Sequence, residues 1–414
     1  MDNRSDNYKW VLLALVMLTN LLVIAMPTMG MSVLAKEIAD DLGLSLVQVG
    51  IVWGVGALPG IITSLLSGVI GDKLGPKYIL VVGTLLSGLL GAARGFSSNF
   101  IVLTSIVILL GAVSPFVILN GMKICGMWFP AKQLGLANGL ISVSMAFGFL
   151  LGSFLSATVL SPWLGGWRNV LIAYGLAGAF LSIPWAFTHT KTLGVHPSGQ
   201  AFSMRRTIKH VAGLKNIWML SLMLFGLGGC IQGLLGYLPL YLRGMGWTGV
   251  GADGALTVFH LVSMIFVLPI ALWSDRLGSR KQLLLFSVFM VMLGTALLSV
   301  ASGWVVWVAV LMVGFVRDAT MAVFMTMVIE TKGVGPMYAG TATGFALALS
   351  GISSVIAPPV GNGLAVYWSG APFLFWSGLT LFGLICLAQY KNEDPKNQSV
   401  NQAVFLSIPD ARFR

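Results

Sequence analysis

The chain has 414 residues, of which 57% are apolar and only 9% charged, whereas an ordinary soluble domain carries roughly a quarter charged residues. Thirteen acidic and 24 basic side chains cannot cover the surfaces of two or three water-exposed domains, which excludes a soluble enzyme and points to a membrane protein. The net charge of +11 sits in short basic clusters between apolar runs, so it reports orientation in a bilayer and not a nucleic-acid partner.

A helix needs about 20 apolar residues to cross ~30 Å of hydrocarbon. Twelve runs meet that rule: 10–30, 46–70, 78–95, 99–123, 134–160, 167–187, 216–240, 252–273, 282–301, 304–328, 339–363 and 370–389. The first is too long for a signal-peptide core and has no small-residue cleavage pattern behind it, so it reads as a retained span. Before the second, Ser45-Leu46-Val47-Gln48 has the capping-box spacing. With both termini inside, nineteen of the 24 basic residues fall on the inner side and four outside, Lys36, Arg94, Arg168 and Arg243. That asymmetry sets cytoplasmic termini. The polar stretch 189–215 divides the spans six and six. It reads as a cytoplasmic linker between an N-terminal bundle, 1–188, and a C-terminal bundle, 216–390, with 391–414 as a cytoplasmic tail. The expected fold is therefore all-α, with twelve transmembrane helices in two six-helix bundles.

Cys125, Cys230 and Cys386 show no CxxC spacing and no nearby histidine, so neither a disulfide nor a metal site is expected. The chain contains no HExxH, GxSxG or GxxxxGK pattern, and no enzyme activity, cofactor or direct ATP-driven step is expected. Gly249-Val250-Gly251-Ala252-Asp253-Gly254 has dinucleotide-loop spacing but follows a membrane helix instead of a strand. It reads as a chance match in an outer loop.

The two halves repeat. Gly71-Asp72-Lys73-Leu74-Gly75-Pro76-Lys77 returns as Ser274-Asp275-Arg276-Leu277-Gly278-Ser279-Arg280, and Gly135-Leu136-Ala137-Asn138-Gly139 returns as Gly340-Thr341-Ala342-Thr343-Gly344. Parallel six-span repeats of this kind describe a two-bundle transporter with its site near the midplane between bundles.

On these residues, over about 8–390, the chain resembles the major facilitator superfamily. Gly68, Asp72, Lys73, Gly75 and Lys77 fit the family pattern between the second and third spans, with Pro76 departing from it. Asp275, Arg276, Gly278, Arg280 and Lys281 fit it in the second half, with Ala271 replacing the first glycine. The resemblance implies that these loops latch a gate, with Asp72 at a helix end able to accept from the N-terminal amides of a neighbouring helix. It also implies an ion pair from Glu330 to the basic loop of Arg276 and Arg280. Trp128-Phe129-Pro130-Ala131-Lys132 is similar to the loop of facilitators of small anions and organic acids.

Subgroup marks are partial. Gly139, Gly148 and Gly152 have the spacing of proton-driven efflux members, but Ser153 replaces the proline. Gly361-Asn362-Gly363 is similar to the nitrate-carrier signature, yet the second and eighth spans lack the arginines those carriers place there.

Charges deep in a bilayer are costly and face a cavity or a partner. Arg317 and Asp318, halfway along the tenth span, are the central ones. Sequence neighbours point about 100° apart on a helix, so pairing with each other is not assumed. Arg317 reads either as the contact for an anionic substrate or as a structural partner, and Asp318 as a proton-coupling group. His260, the intramembrane histidine of the eighth span, is either a relay, since histidine titrates near neutrality, or a packing residue. Asn20, Asn120, Gln232, Tyr237 and Tyr241 are polar candidates for the substrate site, each equally able to serve an interhelical hydrogen bond. Lys123 can snorkel to the interface. The expected function is secondary active transport of a small anionic solute by alternating access with proton symport, as a monomer in a bacterial inner membrane. Proton-driven efflux of hydrophobic compounds and solute sensing are the alternatives.

Overall fold

The computed structural model describes residues 3–189, 204–277 and 279–391. Gly278, most of the linker and the tail therefore lie outside the described residues, as do the side chains of Asp275 and Arg276. Among the described residues, twelve helices are long and apolar enough to cross a membrane. They are referred to below by ordinal. The first comprises Asn3–Thr19, a π-helical turn Asn20–Ala25 and Met26–Val33; the second, Leu46–Gly54 and Ala57–Leu74; the third, Pro76–Ala93; the fourth, Phe100–Trp128. The fifth joins Ala131–Leu155, a π-helical turn Ser156–Leu160 and Ser161–Leu164, and the sixth joins Trp167–Phe180 and Ser182–Phe187. The remaining six are Lys215–Gly244, Gly249–Leu277, Arg280–Leu298, Trp304–Glu330, Gly335–Leu364 and Ala371–Ala388. The eighth starts within the glycine-rich segment read from the sequence as a loop, its first turn capped by Thr248 Oγ1, which accepts from the Gly251 amide at 3.2 Å.

Local chemistry sets several of these boundaries. Ser45 and Gln48 form both halves of the expected capping box at the start of the second span. Asn99 opens the fourth by accepting from the Val102 amide at 3.0 Å. Both π turns end at a residue followed by proline, Met26-Pro27 and Ser161-Pro162, and in each that residue donates five back, to Leu21 and Ser156. Proline lacks an amide and crowds the carbonyl four residues before it, so widening the preceding turn relieves the ladder there.

Small residues let spans touch closely within each bundle. The third and sixth meet with Gly88 against Ala179 and Gly175 against Ala92, and in the other half Gly226 of the seventh lies against Leu379 of the twelfth. An even number of spans returns the chain to the face on which it starts. That face carries Lys73, Lys77, Lys132, Arg280, Lys281 and Lys332 and is called the basic face; the other is the opposite face.

The bundles meet tightly in the half near the opposite face. Ser32 Oγ donates to the Leu235 carbonyl at 2.5 Å, Trp53 Nε1 to the Gln232 carbonyl at 2.7 Å, and Asn362 Nδ2 to the Leu46 carbonyl at 3.0 Å. A Cβ on Gly50 would lie 2.7 Å from the Pro359 backbone, and one on Gly54 2.7 Å from the Ser354 carbonyl. Toward the basic face the second and eleventh spans part, leaving a groove of about 540 Å³ bordered by Ile61, Ser64, Gly344, Phe345 and Gly351, with Ile208 and Val211 alongside.

Candidate functional site

The middle of the fifth, eighth and tenth spans brings the central charges together. Arg317 and Asp318 form an ion pair, Nη1 to Oδ1, at 2.8 Å. Neighbouring positions point about 100° apart on a helix, and the long guanidinium side chain spans that angle. Ser263 of the eighth span donates to Asp318 Oδ2 at 2.6 Å, so both carboxylate oxygens are engaged. The Arg317 guanidinium lies 5.8 Å from the Phe149 ring centroid and 5.9 Å from that of Phe259, within cation–π range of both. Phe149 belongs to the fifth span, so the cluster straddles the two bundles.

His260 packs between the same rings, 5.4 Å from Phe149 and 5.2 Å from Phe259. It is 1% exposed, and its Nε2 has no hydrogen-bond partner among the described residues. The side chains of Arg317 and Asp318 keep 20% and 28% of their exposure. A guanidinium has five N–H donors, and only the one to Asp318 is engaged among the described residues. The arrangement can present several donors to an anion while the adjacent carboxylate holds one arm still.

The other residues proposed from sequence are dispersed. Asn20 is buried in the π turn of the first span. Asn120 donates to Ser67 Oγ at 3.1 Å and to the Phe116 carbonyl at 2.9 Å, joining the fourth span to the second. Gln232 reaches the Trp53 carbonyl at 3.4 Å, on the bundle seam. Tyr237 and Tyr241, one turn apart on the seventh span, donate to Ser369 and Leu298 carbonyls at 3.1 and 3.3 Å. They stack in a cluster with Phe373 and Trp376, inside the C-terminal bundle and apart from Arg317.

At the basic face, Asp72 pairs with Lys123 of the fourth span, and among the described residues no amide of a neighbouring helix donates to it. Two glycines stand near it: Gly71 is pressed against Asn120, while Gly68 meets nothing within 4 Å. Gly75 takes φ 83° between the second and third spans, a left-handed value that favours glycine. Glu330 pairs with Arg280, the contact expected from the sequence. The first pair lies within the N-terminal bundle and the second within the C-terminal one.

One polar group near the opposite face escaped the sequence reading. Asp253, 1% exposed, pairs with Arg243 at 2.6 Å and accepts from Thr158 Oγ1 of the fifth span at 2.8 Å. Nearby, Ser161 Oγ donates to Glu37 at 2.5 Å, tying the fifth span to helix Ala35–Leu42. The signal was the acidic residue inside a glycine-rich repeat, which starts a helix where it reads as a loop.

Twelve spans in two repeated bundles, sealed on one face and carrying a charged cluster at their midplane seam, define a secondary-transporter fold. The chain belongs to the Major Facilitator Superfamily, whose family model matches residues 13–335 and 255–407. It is similar to a protein named "Probable nitrate/nitrite antiporter NarK1" of Thermus thermophilus, 23% identical over 86% of this chain and 84% of the relative. A protein named "Probable L-galactonate transporter" of Escherichia coli (strain K12) is 28% identical over 38% of this chain, and the "Gallate transporter" of Pseudomonas putida 25% over 44%. Those two matches span 34% and 41% of the relatives' own lengths. Among solved structures, a mutant of the nucleoside transporter NupG superimposes with a TM-score of 0.80 at 13% identity, over 92% of this chain and all of that one. An inward-facing, unoccupied bacterial homologue of the lysosomal transporter Spinster does so with 0.74 at 14%, over 92% and 96%.

Proposed function

We propose that the chain moves a small anionic solute across a bacterial cytoplasmic membrane by alternating access, coupled to proton movement. The observation that carries this reading is the midplane guanidinium of Arg317, with donors to spare, two aromatic rings beside it and Asp318 fixing one arm. A charge kept at that depth costs at least ~2.5 kcal/mol on insertion scales, and a ligand that completes it repays the cost. The names of the relatives fit: nitrate, galactonate and gallate share negative charge and little else. The basic face is cytoplasmic, by the excess of lysine and arginine there, and both termini lie on that side. The conformation is then inward-open, with the opposite face shut by the seam from Ser32 to Asn362.

Proton coupling rests on Asp318 and His260 meeting at the same cluster. Asp318 is paired with Arg317, and an anion that draws Arg317 away frees the carboxylate for a proton, which links the two ligands through one helix. Asp72, paired with Lys123, and Asp275 serve as latches when the basic face closes, and Arg280–Glu330 belongs to the same face. The working unit is a single chain, with bundle boundaries near 188 and 216.

A ligand screen by thermal unfolding of the purified protein tests the reading, since a ligand that binds only the folded state raises the midpoint. Small carboxylates or inorganic anions are expected to stabilise, and neutral sugars to leave the midpoint unchanged. Stabilisation by hydrophobic cations or dyes alone contradicts it and selects export of apolar compounds, the reading favoured by the apolar groove between the second and eleventh spans.

A further inference from the structure

We propose that the N-terminal bundle holds a second anion site, for a single halide-sized ion, at Arg94. Arg94 ends the third span and is 3% exposed. Its Nε donates to the Gly91 carbonyl at 3.3 Å and its Nη1 meets Met31 Sδ at 3.4 Å, while among the described residues no carboxylate lies within ion-pair distance. A buried charge without a counter-charge is strongly unfavourable, and sulfur is a weak acceptor. The guanidinium therefore calls for a partner that the chain does not supply.

The space for that partner is present. Arg94 lines a small cavity of about 10 Å³, room for a single water-sized particle, between the first, third and sixth spans, with Ser87, Gly91 and Tyr174 and no acidic residue among the described residues on its walls. Ser87 is 2% exposed and its hydroxyl has no hydrogen-bond partner among the described residues. Residues 87, 91 and 94 recur at helical spacing on one face, and a Cβ on Gly91 would stand 3.8 Å from Arg94 Nη2, so the glycine leaves the guanidinium edge uncovered. One cationic donor group and one hydroxyl left free among the described residues, with the Tyr174 hydroxyl already engaged by Ser156, suit one small monovalent ion. Sulfate or phosphate would bring more acceptors than these walls can satisfy. The site lies wholly within one bundle, away from the seam at Arg317, and it stabilises that bundle as a rigid unit.

The test is thermal unfolding of the purified full chain in sodium chloride, sodium bromide or sodium gluconate at equal ionic strength, with anomalous diffraction from bromide-soaked crystals. The midpoint is expected to rise saturably with chloride and bromide and not with gluconate, and bromide density to sit at Arg94. Ser87→Ala should raise the half-saturating halide concentration by ~3-fold or more through loss of a hydrogen bond to a charged ligand. Arg94→Met should abolish halide dependence and, in gluconate, unfold no lower than the wild type, whereas Arg317→Gln should keep the dependence. Equal midpoints in chloride and gluconate, halide dependence surviving Arg94→Met, or a cavity without bromide density would overturn the proposal in favour of a water-filled pocket. Should Arg94→Met not fold, the Ser87→Ala titration and the bromide density decide alone.

Discussion

Arg317 and Asp318 are consecutive in the chain and paired at 2.8 Å, in the middle of a membrane span, with the carboxylate held from its other side by Ser263. A pair built this way can be opened by one side chain swinging toward a ligand while the backbone stays fixed. In the proposed mechanism the substrate takes Arg317 and the proton takes Asp318, so each ligand opens the pair for the other.

If Asp318 carries the proton, Asp318→Asn should lose accumulation of solute against a gradient and keep one-for-one exchange, because exchange requires binding and rocking but no net proton transfer. Transport by reconstituted vesicles with and without an imposed pH gradient measures both. His260→Gln is the companion variant: the same split in that protein would move the relay to the eighth span, and concentrative uptake by Asp318→Asn would remove the carboxylate from the mechanism.

Thr158 and Asp253 hold the fifth and eighth spans together across the bundle seam. Thr158→Val removes the donor and leaves a buried carboxylate oxygen short, at a cost of about 1–3 kcal/mol. The loss falls on the conformer closed at the opposite face, so the equilibrium should shift toward opening there. Distances between spin labels at Asp40→Cys and Val250→Cys should lengthen; an unchanged distribution would assign the contact to packing alone.

Gly54 sits where the second and eleventh spans nearly touch, and any Cβ there meets the Ser354 carbonyl at 2.7 Å. Backbone cannot yield as a side chain does. Gly54→Leu should therefore block closure of the opposite face, abolish transport, and lengthen the same label distance more than Thr158→Val does. Normal flux in Gly54→Leu would mean that the seam is looser than its geometry.

The spans and the repeat were legible in the sequence because each rests on hydropathy or on matched loop chemistry, whereas the pairing of Glu330 with the basic loop was implied by the family resemblance alone. Arg317 and Asp318 were legible for a related reason: charge is rare at that depth. What a linear pattern could not supply was direction. Tyr237 and Tyr241 lie on a helix buried on most sides, and nothing in their spacing says that they face Phe373 instead of the seam. Arg94 and Arg243 lie at span ends, where basic residues belong to loops by default, so the burial of one and the pairing of the other with Asp253 came only with the fold. The π turns at Asn20 and Ser156 are backbone adjustments to Pro27 and Pro162, and proline announces a disturbance without its kind.

Whether Arg317 holds an anion is read from the affinity of Arg317→Gln and Arg317→Lys for the anion that stabilises the wild type, by titration of the purified proteins. Glutamine removes the charge and lysine the fork, so the first should bind at least ~10-fold more weakly, through loss of about 1.5–3 kcal/mol, and the second should recover little of it. Wild-type affinity in Arg317→Gln, at equal folded fraction, would contradict the account and return Arg317 to a structural pairing with Asp318.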